Sequence, residues 1–137
     1  MKAKVRTRYG RLRYGRCGLG HVFVRMGMAD ELSYVLNGGA YVGEKDDNGW
    51  TVLHWAAQRG HMEICLILLR DHAAQINETD NGGYTALHCV AWNGHVGICR
   101  LLLDNGADIN QEDIIGNTAL SIAKSEEVRK LLIERGA

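Results

Sequence analysis

The chain has 137 residues, 46% of them apolar, with 16 Lys and Arg balanced by 16 Asp and Glu and no proline at all. That length fits one domain with a core of its own, the lack of proline excludes collagen-like and polyproline chains, and no run approaches the roughly 18 uninterrupted apolar residues of a membrane span. Neutrality is an average over two unlike pieces: Lys2, Lys4, Arg6, Arg8, Arg11, Arg13, Arg16 and Arg25 give residues 1–26 a net charge of +8 without one acid, and residues 27–137 carry −8.

The start of the chain reads as a basic arm, residues 1–16. Arg8-Tyr-Gly-Arg-Leu12 and Arg13-Tyr-Gly-Arg-Cys17 repeat a short pattern whose charge and glycine leave nothing to bury, so disorder is expected. Arg interleaved with Tyr also suits phosphate contact and base stacking. Arg8, Arg11, Arg13 and Arg16 are therefore candidate polyanion contacts, and the run is also of a kind that nuclear import reads. Gly20 and His21 interrupt the apolar stretch that a secretory signal would need, and the arm has neither the serines nor the helical pattern of a mitochondrial presequence. Cys17, Cys65, Cys89 and Cys99 form no C-x-x-C pair, so reduced thiols in the cytoplasm or nucleus are expected.

Sliding the chain against itself exposes a repeat. Asp46-Asp-Asn-Gly-Trp-Thr-Val-Leu-His54 aligns with Asp80-Asn-Gly-Gly-Tyr-Thr-Ala-Leu-His88 at a shift of 34, and with Asp113-Ile-Ile-Gly-Asn-Thr-Ala-Leu-Ser121 at a further 33. Gly60-His61 pairs with Gly94-His95, Leu68-Leu69 with Leu102-Leu103, and Ile76-Asn77 with Ile109-Asn110. In each unit Asp and Gly make a turn, with Gly49, Gly83 or Gly116 free to take positive φ. Thr51, Thr85 or Thr118 then caps a first helix, and His54 or His88 stands where a capping box places Glu or Gln. Ala56, Ala57, Ala91 and Ala123 allow a second helix to approach closely, and Gly60 and Gly94 end the first. The second helices carry Ile64, Cys65, Ile67, Leu68 and Leu69, then Ile98, Cys99, Leu101, Leu102 and Leu103. Gly106 closes the later one; His72 stands at that place in the earlier unit, followed by one extra residue, Ala74. Neither helix buries its stripe alone, so neighbouring units must stack.

The string Asp-x-x-Gly-x-Thr-x-Leu-His, then Gly-His and Leu-Leu-Leu-x-x-Gly-Ala-Asp-Ile-Asn, resembles the ankyrin repeat. The resemblance implies an all-α solenoid of antiparallel helix pairs with projecting β-hairpin or turn loops, here about 3.5–4 repeats. Val52, Ala86 and Ala119 depart from it where proline is usual at the first helical position. Read in chain order, the basic arm is followed by a degenerate capping repeat at 17–45, full repeats at 46–79 and 80–112, and a shortened, highly charged capping repeat at 113–137. In the degenerate unit Asp30 to Leu36 reads as a second helix. Gly18 to Met26 is either a degenerate first helix or an apolar segment sealing the stack, since Val22-Phe23-Val24 prefers strand. An arm that fits the repeat so poorly is also what a fragment or isoform of a longer repeat protein would carry.

Recurrence explains His54, His88, His61, His95, Cys65 and Cys99 structurally, and no Walker loop, H-E-x-x-H or Gly-x-Ser-x-Gly is present. No enzymatic activity, cofactor or metal is expected. His88 and Cys89 are neighbours on one helix and so point about 100° apart. The resemblance places partner contacts in a concave groove at the turn tips and the outward positions of the first helices. Carried over, these are Asp47, Asn48, Trp50, Gln58 and Arg59, then Asn81, Tyr84, Trp92 and Asn93, then Ile114, Ile115 and Asn117. Clustered Trp, Tyr and Arg is the composition of binding hot spots; the plainer alternative is that the rings pack on neighbouring loops. Trp55 is expected in the core.

The expected function is a monomeric, non-enzymatic adaptor that binds a protein segment, basic and apolar given the body's −8. Nucleic-acid binding or nuclear targeting through the arm is the alternative. Asn77 and Asn110 occupy the hairpin position that the resemblance makes a candidate for asparaginyl hydroxylation; the simpler reading there is an Asx turn.

Overall fold

A computed structural model describes residues 18–137; Arg8, Arg11, Arg13 and Arg16, and with them the polyanion reading of the arm, lie outside the described residues. The described residues form helices and turns without a strand. The helices come in four pairs: α1 (Leu19–Arg25) with α2 (Ala29–Asn37), α3 (Val52–Arg59) with α4 (Met62–Asp71), α5 (Ala86–Asn93) with α6 (Val96–Asp104), and α7 (Ala119–Ile122) with α8 (Glu126–Glu134). The first helices α1, α3, α5 and α7 touch in series, and so do the second helices α2, α4, α6 and α8. Their shared face is the core: Val24, Leu32 and Val35, then Leu53, Ile64 and Leu68, then Leu87, Ile98 and Leu102, then Val128 and Leu132. Each such side chain is worth about 1.5–3 kcal/mol on burial. Ala56, Ala57 and Ala91 are fully buried where the layers approach most closely.

The first helices begin as their sequences require. Thr51, Thr85 and Thr118 each accept the N–H three residues on, and His54, His88 and Ser121 return a bond to the Thr backbone N–H. Gly60 ends α3 in the left-handed conformation at φ 74. The His95 ring lies so close that a Cβ on Gly60 would stand 2.8 Å from it. Only glycine meets both conditions.

The segment around Val22-Phe23-Val24 is helical despite its strand propensity. Phe23 and Val24 are buried against α2 and α3, and tertiary burial outweighs local preference. Gly18 supplies no side-chain cap there. The projecting loops are turns, and they bond to one another sideways: Asn81 N–H donates to the Asn48 carbonyl at 3.1 Å and Ile114 N–H to the Gly82 carbonyl at 3.0 Å.

One register expectation is corrected. Ala74 N–H reaches the Leu68 carbonyl, as Ala107 N–H reaches Leu102 and Ala40 N–H reaches Val35, so the extra residue of this unit lies before Ala74. The left-handed position falls on Ala73, at φ 49, and His72 stays at φ −123. An L-residue there costs roughly 1–2 kcal/mol. Ala73 is exposed, so Ala73→Gly relieves this without removing a core contact. The substitution is expected to raise stability by about 0.5–1 kcal/mol after the added backbone entropy of glycine. An unchanged or lower urea midpoint would contradict the assignment.

Candidate functional site

The site is built on a row of histidines. Nε2 of His21 lies 2.9 Å from the Trp50 carbonyl, that of His54 2.8 Å from the Tyr84 carbonyl, and that of His88 3.0 Å from the Asn117 carbonyl. A carbonyl only accepts, so each Nε2 carries the proton. In His54 and His88 the free Nδ1 then accepts from the backbone N–H of Thr51 and Thr85, both at 3.1 Å. His54 and His88 therefore cap their own helices and hold the loop of the next unit, while His21 holds the loop alone. All three are 1% exposed.

The held loops carry a matching row of aspartates. Asp46 Oδ1 accepts from the N–H groups of Asn48 and Trp50, Asp80 Oδ1 from those of Gly82 and Tyr84, and Asp113 Oδ1 from those of Ile115 and Asn117. The second oxygens are taken as well. Trp55 Nε1 donates to Asp46 at 2.9 Å, Trp50 Nε1 to Asp80 at 2.8 Å, and Asn117 Nδ2 to Asp113 at 3.1 Å. The Tyr84 side chain also favours the charged form of Asp113. Burial pushes the Asp113 carboxyl upward, but these bonds outweigh it and hold it below its usual range.

Between the loops and the first helices lies an apolar cleft of about 260 Å³, lined by Trp50, Gln58, Tyr84, His88, Cys89, Trp92 and Ile122. Four of the residues expected in the groove thus come together: Trp50, Gln58, Tyr84 and Trp92. Asn93 sits beside them and donates to Gln58 Oε1 at 2.8 Å. Trp50 and Tyr84 are half-buried, and the Trp50 ring is bonded to the next loop, as the plainer alternative had it. Trp92 is 50% exposed, with the Lys124 ammonium 3.6 Å from its ring centre.

Other expected positions fall elsewhere. The backbone of Asn48 joins two loops, and Asn117 is taken up by His88 and Asp113. Ile114 and Ile115 stand at a loop tip, 76% and 77% exposed, and do not line the cleft. Asn77 makes no Asx turn: its Oδ1 accepts from Asp108 N–H at 2.7 Å and its Nδ2 donates to the Gly106 carbonyl at 3.3 Å, joining two hairpins. The turn at Asn110 is made by Asp108 instead.

Trp55 is a correction. It is half-buried rather than in the core, because its indole N–H needs an acceptor and finds it in Asp46. Its ring is covered by two guanidinium groups, Arg25 at 5.2 Å and Arg59 at 5.7 Å from the centre, and tilts against Trp50 at 4.7 Å. Arg59 thus belongs to a neighbouring Trp55 cluster. The spacing of 34 between Arg25 and Arg59, one repeat, was the signal for this pair. Ile122 and Lys124 gave none, because the shortened last unit breaks the register.

His88 and Cys89 form no nucleophile pair. Both ring nitrogens of His88 are engaged, and burial pushes the Cys89 thiol up to about 12. Among the described residues no group of three or more His, Cys, Asp or Glu is placed to hold a metal ion, and no helix is long and apolar enough to cross a membrane.

Stacked helix pairs, loops joined sideways and an aromatic cleft across the first helices define a short helical-repeat solenoid. The sequence model for ankyrin repeats, in three copies, matches residues 21–113 and 83–137. The chain belongs to the ankyrin-repeat family, whose members are generally protein–protein interaction modules. No individual curated protein gives a significant match.

Burial holds the His54 imidazole below its ordinary 6.5, against the opposing pull of the Tyr84 carbonyl and Asp80. The native ring is neutral, so the unfolded chain takes up a proton near 6.5 that the folded chain refuses. His54 therefore contributes fully above that pH, and its contribution is lost as pH falls through the native pKa. Nitrogen NMR is expected to show His54 as the Nε2–H tautomer, with the urea midpoint falling as pH drops below about 6.5. An Nδ1–H tautomer, or a ring titrating at its ordinary value, would contradict the bridge.

Proposed function

We propose that the chain is a non-enzymatic adaptor that docks an extended segment of a protein partner by seating a large apolar side chain in the Trp50–Tyr84–Trp92 cleft. The observation that carries this reading is Trp92: a large aromatic, half-exposed, at the mouth of an apolar cleft whose other walls are held by the histidine and aspartate rows. Exposed aromatics on a rigid support lose little entropy on binding and are the usual anchors of interfaces. The cleft's 260 Å³ falls short of the roughly 300–1,000 Å³ typical of small-molecule sites and suits a side chain better than a cofactor. Cys65, Cys89 and Cys99 are free and buried, in keeping with action in the cytoplasm or nucleus.

Selecting a random displayed-peptide library on the immobilised full chain tests the reading. Peptides with a shared large apolar residue are expected to be enriched. Trp92→Ala should weaken them by about tenfold or more, the loss of one hot-spot contact. Its thermal midpoint should hold, because the Trp92 side chain bonds nothing in the core. Failure to enrich, or equal binding by Trp92→Ala, overturns the cleft as the docking site.

A further inference from the structure

The net charge of −8 on residues 27–137 suggests a basic occupant for the groove, but the placement of the charges says otherwise. On the groove side, the turn aspartates Asp46, Asp80 and Asp113 have both carboxylate oxygens engaged by backbone, indole or amide donors, and Asp47, exposed at a loop tip, makes an interaction of its own. The turn aspartates keep their charge, but most of their acceptor capacity is used inside the fold. Asp30, Glu31, Glu63, Glu126 and Glu127 stand in the first turns of second helices, the layer behind the first helices.

The cations are arranged in the opposite way. Arg25 and Arg59 end the first helices of successive units and share the Trp55 ring, and Lys124 lies over Trp92 on the far side of the cleft. Among the described residues none of the three has a carboxylate within ion-pair distance; the pairs formed there join Lys45 to Glu78, Arg70 to Asp71 and Arg135 to Asp104. A guanidinium stacked on an indole keeps its N–H edge free, and that edge matches a carboxylate in two-point geometry. The stack also fixes the group in place, so less freedom is lost on pairing. Trp55 tilts against Trp50, and Trp50 lines the cleft, so the arginine pair adjoins the apolar seat.

We infer that the groove takes an acidic rather than a basic segment: a peptide whose apolar anchor enters the cleft and whose flanking Asp or Glu carboxylates bind the guanidinium groups of Arg25 and Arg59. This rests on the reading of the cleft as a docking site and adds the charge of its occupant.

The test uses fluorescein-labelled synthetic peptides with one apolar centre, flanked by Glu, Gln or Lys, titrated against the full chain by fluorescence anisotropy. The Glu-flanked peptide is expected to bind about tenfold tighter than the Gln-flanked one, with the Lys-flanked one weakest, and the Glu advantage should shrink with added salt. Arg25→Gln/Arg59→Gln should bring the Glu and Gln peptides to parity with the thermal midpoint only slightly lowered, since both side chains are exposed and lose only their contact with the Trp55 ring. Equal binding of all three peptides overturns the charge inference and leaves the cleft reading standing. Tighter binding of the Lys peptide, or a Glu preference that survives in the double variant, also overturns it. Binding of none of them overturns both. A single-stranded oligonucleotide that binds tighter than the Glu peptide and is lost in the double variant would assign the pair to nucleic acid, and the inference would fail.

Discussion

The imidazole that spans two units is the interaction on which the rest of this structure depends. An unaided first helix here has at most eight residues, too few to persist in water, and its loop is too short to hold a shape. His54 solves both problems with one ring, because Nδ1 closes the cap of its own helix while Nε2–H fixes the carbonyl of Tyr84 in the next loop. The bond also fixes the tautomer, so the ring works only as neutral imidazole with its proton on Nε2. At the two ends of the series the chemistry changes as this role predicts. His21 has no Thr to cap but still reaches Trp50, and in the last described unit Ser121 keeps the cap and reaches no further.

From that constraint the character of the groove follows. Fixed loops present their aspartates inward and bring two N–H groups onto one oxygen of each, which leaves the other oxygen for Trp55, Trp50 or Asn117. Trp50 is thereby tied to the loop row through its indole N–H, and with Tyr84, Trp92 and Ile122 it lines the cleft. The same bonds occupy both carboxylate oxygens of each aspartate without removing the charge. The acidic segment proposed for the groove accordingly rests on the placement of Arg25 and Arg59, where the basic segment expected from sequence rested on the −8 total.

Much of this was legible in the sequence because the repeat converts residue identity into position. Thr51, His54, Gly60 and Leu68 each recur one unit later, and recurrence at fixed spacing gave the caps, the helix ends and the core. The reading weakened wherever the repeat broke. Val22-Phe23-Val24 was ambiguous between strand and helix because its cap residues are glycine, and only packing on α2 and α3 decides it. The left-handed residue moved from His72 to Ala73 because an insertion's exact place is set by which N–H reaches Leu68. Trp55 was misplaced because an indole's destination depends on where an acceptor stands, and Asp46 lies nine residues back in a turn. The Arg25–Arg59 pair needed a ring between them that only the folded chain supplies.

The histidine row locks the loops to the helices and makes them as rigid as the core. Amide hydrogen exchange on the intact chain at neutral pH reads that rigidity residue by residue. The N–H groups of Trp50, Tyr84 and Asn117, which bond the aspartate carboxylates, should be protected to nearly the same free energy as the core amides of α3 and α5, because opening them requires separating the units. Exchange of these three amides near the rate of an unstructured chain, with α3 and α5 still protected, would contradict the account.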